Sequence, residues 1–249
     1  MNGQRYVLAN FKMNKNAGEI KKWADQILQL MYKRREKIRV KIGVAPSFVH
    51  ILTAKSLFQG TDIMVGAQNM YYEERGAFTG EVSVSQLKDI GVDFVIIGHS
   101  ERRKIFKEDN ELIEKKLISA IRYGILPVLC VGETLGEREN GLTEKVIDEQ
   151  LKAVERIPDE MMKIDLVIAY EPVWAIGTGI PAKPDQIAEV INKIKNKLKN
   201  KFPKISVLYG GSIDENVAKE IRHICDGGLV GSASLDAQKF YKIAENFEI

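Results

Sequence analysis

Eight short apolar runs, separated by segments with helical spacing, recur along the whole chain. They predict strands at Arg5–Ala9, Val40–Ala45, Asp62–Ala67, Phe94–Gly98, Leu126–Val131, Leu166–Ala169, Ile205–Tyr209 and Gly228–Gly231. Most runs are apolar throughout, which is typical of parallel strands buried on both faces. Strands that alternate with helices indicate βαβ units of roughly 30 residues each. Eight such units within 249 residues fit one closed barrel of parallel strands.

Apolar residues between the runs recur at three- and four-residue steps, as on one face of a helix. The first such pattern consists of Ile20, Trp23, Ala24, Ile27, Leu30 and Met31. Further helices are predicted at Asn110–Tyr123, Leu142–Ile157, Pro184–Lys199, Asp214–His223 and from Asp236 onward, with Ser47 as a helix cap and Gly124 as a stop.

The predicted fold class is therefore α/β, a single (β/α)8 barrel domain over residues 1–249 with an outer ring of helices. A doubly wound open sheet is the rival architecture. It would require a Gly-x-Gly-x-x-Gly turn after the first strand, and residues 10–14 contain no glycine.

Composition argues against several classes of protein. The net charge is only +3, from 37 basic and 34 acidic residues, so nucleic-acid binding has no electrostatic support. The basic run Lys33–Arg39 is interpreted as a solvated helix end. We expect no membrane partner and a cytoplasmic location, because no run approaches ~18 apolar residues. Cys130 is interpreted as a small core residue, and neither it nor Cys225 has the spacing of a metal site or a disulfide.

Polar residues follow several predicted strands at the point where each strand ends. They are Asn10 and Lys12 after the first strand, His99 after the fourth, Glu171 after the sixth, and the Gly210–Ser212 and Gly231–Ser232 segments after the seventh and eighth. All strand carboxyl ends of a barrel meet on one face, so we expect these groups to share one site.

Glu171 stands where the sixth strand ends and Pro172 forces the chain out of the sheet. Trp174 and Ile176 then place apolar side chains in an exposed loop. We interpret Glu171 as a catalytic base and Val173–Ile180 as a lid. The alternative is a solvated glutamate at a strand-to-loop turn.

The other groups also have structural alternatives. His99 could be an ordinary helix cap, although the helix dipole there disfavours the cationic imidazole and keeps it neutral at pH 7. Lys12 could be a solvated lysine. The glycine segments could be plain turns, yet glycine-rich turns after strands seven and eight bind phosphate in this architecture.

Together these groups would supply an anion clamp, a lysine, a neutral imidazole and a carboxylate. The sequence has neither a metal-ligand cluster nor a cofactor fingerprint. A carboxylate base with electrophilic partners suits proton abstraction next to a carbonyl, through an enediolate, with a phosphate as the binding handle.

Nearly the whole chain resembles the triosephosphate isomerase family. The resemblance is carried by Asn10–Asn14, Gly66–Asn69, Gly76–Glu81, Gly98–Arg103, Tyr170–Gly179, Tyr209–Ser212 and Leu229–Ser234. It implies cofactor-free interconversion of dihydroxyacetone phosphate and D-glyceraldehyde 3-phosphate, in glycolysis and gluconeogenesis. It also implies a homodimer in which the Gln68–Gly80 loop inserts beside the partner's active site, with Thr79 near the partner's Asn10 and the partner's Lys12.

The same resemblance implies a role for each matching residue. Glu171 would shuttle the proton and His99 would polarise the carbonyl, while Asn10 and Lys12 would bind substrate. The phosphate would be held by Gly177, Ser212, Gly231 and Ser232, with Glu101 and Ser100 in support.

Three positions depart from the family pattern. Phe11 replaces a usual tryptophan, which keeps the aromatic bulk. Ser232 replaces a common glycine, which is compatible with a role for its backbone N–H alone. Residues 180–182 read Ile-Pro-Ala instead of Lys-Thr-Ala, and the proline fixes one φ angle at the far end of the predicted lid.

Two other functions stay open at this point. A Schiff-base lyase would use Lys12 as nucleophile, and borohydride trapping would reveal its covalent adduct. A non-catalytic binding module for phosphorylated sugars would need the anion clamp but would have no use for His99 with Glu171.

Overall fold

The computed structural model of the chain describes residues 4–34, 36, 38–161, 165–176, 182–199, 201–202 and 204–248. Within them eight parallel strands close into a barrel in chain order. The strands are β1 (Tyr6–Asn10), β2 (Lys41–Ala45), β3 (Met64–Ala67), β4 (Phe94–Ile97), β5 (Leu126–Val131), β6 (Asp165–Tyr170), β7 (Lys204–Tyr209) and β8 (Gly227–Val230). The predicted (β/α)8 barrel is thereby confirmed.

The described helices follow the strands. They are α1 (Ala17–Lys33), α2 (Ile51–Leu57), α3 (Val84–Asp89), α4 (Ser100–Ile105), α5 (Asn110–Arg122), α6 (Leu135–Glu139), α7 (Thr143–Glu155), α8 (Pro184–Leu198), α9 (Glu215–Ile221) and α10 (Ala237–Asn246). Short 3-10 turns lie at Phe48–His50, Asp159–Met161, Val173–Ala175 and Ser232–Leu235.

Some predicted boundaries were wrong by one or two residues. β3 begins at Met64 rather than Asp62, because the N–H of Ile63 donates to the Thr61 hydroxyl at 3.2 Å and is not available to a neighbouring strand. β8 begins at Gly227, which pairs with Tyr6 at a φ of 134°. A Cβ there would lie 1.8 Å from the Tyr6 carbonyl oxygen, so only glycine fits.

The helix predictions were confirmed in place but not at every end. α1 ends at Lys33, and its buried face consists of Ile20, Trp23, Ala24 and Ile27. Arg35 and Lys37 of the basic run lie outside the described residues. Ser47 does precede a 3-10 turn, but it makes no side-chain cap hydrogen bond. Its hydroxyl donates instead to the Lys12 carbonyl at 3.2 Å.

Two apolar layers hold the barrel together. The inner layer fills the barrel with side chains such as Leu8, Phe94 and Leu208, and Cys130 lies there as predicted. Gly66 makes room for the Phe94 ring, since a Cβ at Gly66 would lie 2.4 Å from it. The outer layer packs the helices on the sheet. The carboxyl ends of all eight strands are thus fixed around one rim, where the polar residues lie.

The helices of the described part of the chain are too short or too polar for any of them to cross a membrane.

Candidate active site

The chain leaves β1 through a strained backbone that carries Lys12. Asn10 is buried at the strand end, and its side-chain oxygen accepts the N–H of Lys12 at 3.0 Å. Lys12 has a φ of 50°, a left-handed conformation that is uncommon for a residue with a side chain. The side chain of Gln68 donates to the Lys12 carbonyl at 2.8 Å, and the Ser47 hydroxyl donates to the same atom. Hydrogen bonds from three neighbouring segments therefore hold the Lys12 backbone in place.

An ion pair holds the Lys12 side chain. Its ammonium nitrogen lies 2.6 Å from Oε1 of Glu101, in the first turn of α4. Both side chains are partly exposed, so the charge of Lys12 stays accessible from the rim. This contact places Glu101 where the sequence analysis expected a supporting residue.

His99 occupies the N-cap position of α4. Its Nδ1 accepts the N–H of Glu101 at 3.2 Å, so Nδ1 carries no proton and the imidazole is in its neutral form. The proton is then on Nε2, which lies 3.1 Å from Oε1 of Glu171. The cap and the carboxylate contact use the two ring nitrogens separately, so the helix-cap alternative and the catalytic interpretation are compatible.

The carboxylate of Glu171 is almost fully buried. Its Oε2 accepts the N–H of Ser100 at 3.0 Å, while Oε1 faces His99. Its backbone N–H donates to the Val131 carbonyl at 2.7 Å. Gly210 lies so close that a Cβ there would be 2.8 Å from the Glu171 Cγ. The alternative interpretation of Glu171, a solvated glutamate at a strand-to-loop turn, is therefore wrong.

A second buried carboxylate, which sequence reasoning missed, lies behind Glu171. Oε1 of Glu133 accepts hydrogen bonds from Arg138, from the Tyr170 hydroxyl at 3.1 Å and from the Trp174 indole at 3.2 Å. Burial, with the nearby Glu133 charge, raises the pKa of Tyr170 far above its usual value, so that hydroxyl stays a donor. A carboxylate two residues after the end of β5 was the available signal. Glu133 fixes both ends of the segment that carries Glu171.

The glycine segments after β7 and β8 take different positions. Ser212 donates both its N–H and its hydroxyl to the Ala175 carbonyl, at 2.9 and 2.6 Å, so these donors are directed at the Val173–Ala175 turn. Gly231 and Ser232 line the cavity, and a Cβ on Gly231 would lie 3.6 Å from Cε of Lys12. Gly177 lies outside the described residues, as do residues 178–180 of the predicted lid and residue 181 after it.

One cavity of about 280 Å³ brings most of the predicted residues together. Its lining includes Asn10, Lys12, His99, Glu171, Gly231 and Ser232. Phe11 and Ile176 add apolar walls. Such a volume suits a ligand of a few carbon atoms with one anionic group. The cavity therefore offers a carboxylate, a neutral imidazole and a cation to one small molecule.

The chain forms a (β/α)8 barrel, and a buried carboxylate faces a neutral imidazole at the carboxyl ends of its strands. This fold and this site are those of a (β/α)8-barrel enzyme that uses acid–base catalysis. The family model described as triosephosphate isomerase matches residues 5–247. A triosephosphate isomerase of Aquifex aeolicus is 45% identical over 98% of this chain and 100% of its own length. The triosephosphate isomerase of Clostridium tetani is 41% identical over 95% of this chain and 94% of its length. The chain belongs to the triosephosphate isomerase family.

Proposed function

We propose that this cavity is the active site in which the chain interconverts dihydroxyacetone phosphate and D-glyceraldehyde 3-phosphate through an enediolate. Membership of the triosephosphate isomerase family supports the reaction. The observation that carries the assignment of residues is the Nε2–Oε1 contact of 3.1 Å between His99 and Glu171, with the other imidazole nitrogen occupied by a backbone N–H.

Glu171 is the base in this proposal. Its carboxylate removes a proton from the hydroxyl-bearing carbon next to the carbonyl, and the electron pair moves to the carbonyl oxygen. The hydroxyl proton then passes to that oxygen, the proton held by Glu171 returns to the former carbonyl carbon, and the hydroxyl-bearing carbon becomes the new carbonyl. Nε2–H of His99 donates to the oxygens that develop negative charge. Before substrate binds, that N–H faces Glu171. A substrate carbonyl would take this donor, and Oε1 of Glu171 would be free to accept the substrate proton.

Lys12, Asn10 and the Gly231–Ser232 turn bind the substrate. The ammonium of Lys12 faces the anionic substrate, and the Glu101 carboxylate keeps that cation in place. An ammonium so paired has no free electron pair, which disfavours the Schiff-base alternative. The first N–H groups of the turn after Gly231 would bind the phosphate, with Gly177 as a further predicted contributor. Ser212, also predicted there, gives both of its donors to the Ala175 carbonyl and could bind phosphate only if one of those hydrogen bonds broke. The proton moves between two carbons of one molecule, so the proposal needs no external hydride carrier.

Glu171→Asp tests the base. The variant withdraws the carboxylate by one methylene, and a misplacement of about 1 Å can lower turnover on the order of a hundredfold. We expect that fall in kcat with a modest change in KM, in a coupled isomerase assay. Glu139→Asp, on the exposed α6, is the matched control and should keep parental kinetics. A Glu171→Asp enzyme within twofold of the parental kcat would remove Glu171 from the base role.

We also propose a homodimer formed by the loops after β1 to β4. These strands are neighbours in the barrel, and the loops after them carry the exposed apolar side chains Met13, Val49, Phe78 and Phe106. The exposed fractions of Met13 and Val49 are 94% and 82%. Several large apolar side chains exposed on neighbouring loops are typical of a protein interface.

Val49→Asp tests the assembly. A buried unpaired charge should disrupt the interface, so light scattering should show a monomer at concentrations where the parent is a dimer. Tyr32→Asp is the control, because Tyr32 is equally exposed in the last turn of α1, at the opposite end of the barrel. A parent that is a fully active monomer would refute the proposed dimer. The cytoplasmic location stays a prediction from sequence.

A further inference from the structure

Trp23 lies outside the cavity and contacts two elements that line it, the segment after β1 and the turn after β8. It is 1% exposed in α1, and its indole N–H donates to the Ser234 carbonyl at 2.9 Å. Its ring meets the Phe11 ring edge-to-face at 5.1 Å. Phe11 lines the cavity and directly precedes Lys12. One side chain thus contacts both the β1 wall and the turn after β8.

Ser234 is the fully buried residue that closes this turn. Its N–H and its hydroxyl both donate to the Gly231 carbonyl, at 2.9 and 2.6 Å. The first N–H groups of a helical turn have no partner within it, and here they follow Gly231 at the cavity. Their direction depends on how the far end of the turn is held, and the Trp23 indole holds that end.

We propose that Trp23 is a positioning residue for anion binding: it fixes the Ser232–Leu235 turn through Ser234 and fixes the Lys12 segment through Phe11. This inference rests on the anion-binding part of the proposed function and on no other part of it. Phenylalanine at position 23 would keep a ring against Phe11 but would leave the buried Ser234 carbonyl without its donor, because a phenylalanine side chain has no N–H in place of the indole N–H.

The experiment compares Trp23→Phe with Phe58→Leu by inhibition with inorganic phosphate. Phe58 also contacts the Trp23 ring, at 6.2 Å, but it lies beyond α2 and leaves the indole hydrogen bond intact. Both variants should lower Tm. Only Trp23→Phe should raise the Ki of phosphate and the KM of the triose phosphate, by about three- to tenfold, the equivalent of one hydrogen bond. Its kcat should change less than twofold, because the Glu171–His99 pair is untouched.

A parallel fall in Tm for both variants, with unchanged phosphate Ki and KM in Trp23→Phe, would show a packing role alone and overturn the inference. Such a result would leave the proposed isomerase intact, since parental turnover would be unaffected. An inactive parent that still binds phosphate would overturn the isomerase and leave the inference open to the same comparison of phosphate affinity.

A second measurement covers a Trp23→Phe variant that does not fold. In the 15N-labelled parent the two tryptophans give two indole N–H signals, which Trp174→Phe assigns. We expect the Trp23 signal to shift on titration with phosphate, with a midpoint equal to the kinetic Ki. A Trp23 signal that stays fixed while phosphate saturates the site would overturn the inference.

Discussion

Gly210→Ala should slow catalysis by pushing the base out of place. The new Cβ would lie 2.8 Å from Cγ of Glu171 and 3.3 Å from the Tyr170 carbonyl oxygen. Carbon atoms pack at about 3.5–4.0 Å, so the Glu171 side chain must move by roughly 0.7 Å. It cannot move freely, because His99 and Ser100 hold its two carboxylate oxygens. If a misplacement of 1 Å lowers the rate about a hundredfold, a shift of 0.7 Å lowers kcat about 20- to 30-fold. This fall in kcat corresponds to a rise of about 2 kcal/mol in the activation free energy.

The assay is steady-state turnover together with a thermal melt. Gly43→Ala is the control for overpacking, since its Cβ would lie 2.7 Å from Leu8 and 2.8 Å from the Phe94 ring, inside the barrel and away from Glu171. Both variants should lose stability, by about 1–3 kcal/mol from overpacking. Only Gly210→Ala should lose kcat when assayed well below its Tm. Equal losses of kcat in both variants, or a Gly210→Ala kcat within twofold of the parent, would refute the reasoning.

The remaining predictions concern charge. Lys12→Met should lower kcat/KM about 10- to 100-fold, with a lower kcat and a higher KM. The reason is that a charge-assisted hydrogen bond contributes about 1.5–3 kcal/mol in both the ground state and the transition state. An unchanged Ki for phosphate would contradict this prediction. Glu101→Gln should have a smaller effect of the same kind, and kinetics at several salt concentrations would reveal it. Burial raises the pKa of Asp148, but hydrogen bonds and charges of Lys197 and Lys193 outweigh it, so the pKa lies below its usual value. A carboxyl group whose pKa is lowered in the folded state stabilises the fold above the unfolded value of about 3.9, and this stabilisation is lost as the pH falls through the folded value. Asp148→Asn should thus lower the free energy of unfolding by about 0.5 kcal/mol at pH 7 and by progressively less as the pH falls below about 3.9, as thermal melts at neutral and acidic pH would show.

The barrel could be predicted because its strands are apolar on both faces and its helices are long enough to show a period. The helices that sequence reasoning missed, α3 and α6, have six and five residues. Fewer than two turns of helix cannot establish a 3.6-residue repeat. Their placement depends on local caps such as the reciprocal hydrogen bonds of Ser83 with Gln86.

The site could be predicted as a set of residues but not as a set of contacts. Glu171, His99 and Lys12 follow strand ends, which the barrel topology brings together. The hydrogen-bond partners of each residue depend on side-chain directions, which cannot be read from the spacing of residues in the sequence. Ser212 shows this, because both of its donors go to Ala175. Glu133 was missed for the same reason: its role depends on a tyrosine and a tryptophan that are distant in sequence.

Because the first strand pairs with the last, the active site can form only late in the synthesis of the chain. β1 provides the Asn10 and Lys12 wall, while the anion-binding turn follows β8, which pairs with β1 from Tyr6↔Gly227 onward. A nascent chain that lacks β8 therefore presents two open sheet edges and half a site. The Arg5 guanidinium likewise donates to the carbonyls of Arg222 and Phe247, which are made much later than β1. We expect no turnover from ribosome-bound chains until β8 has emerged, and a need for protection from edge-to-edge association until then.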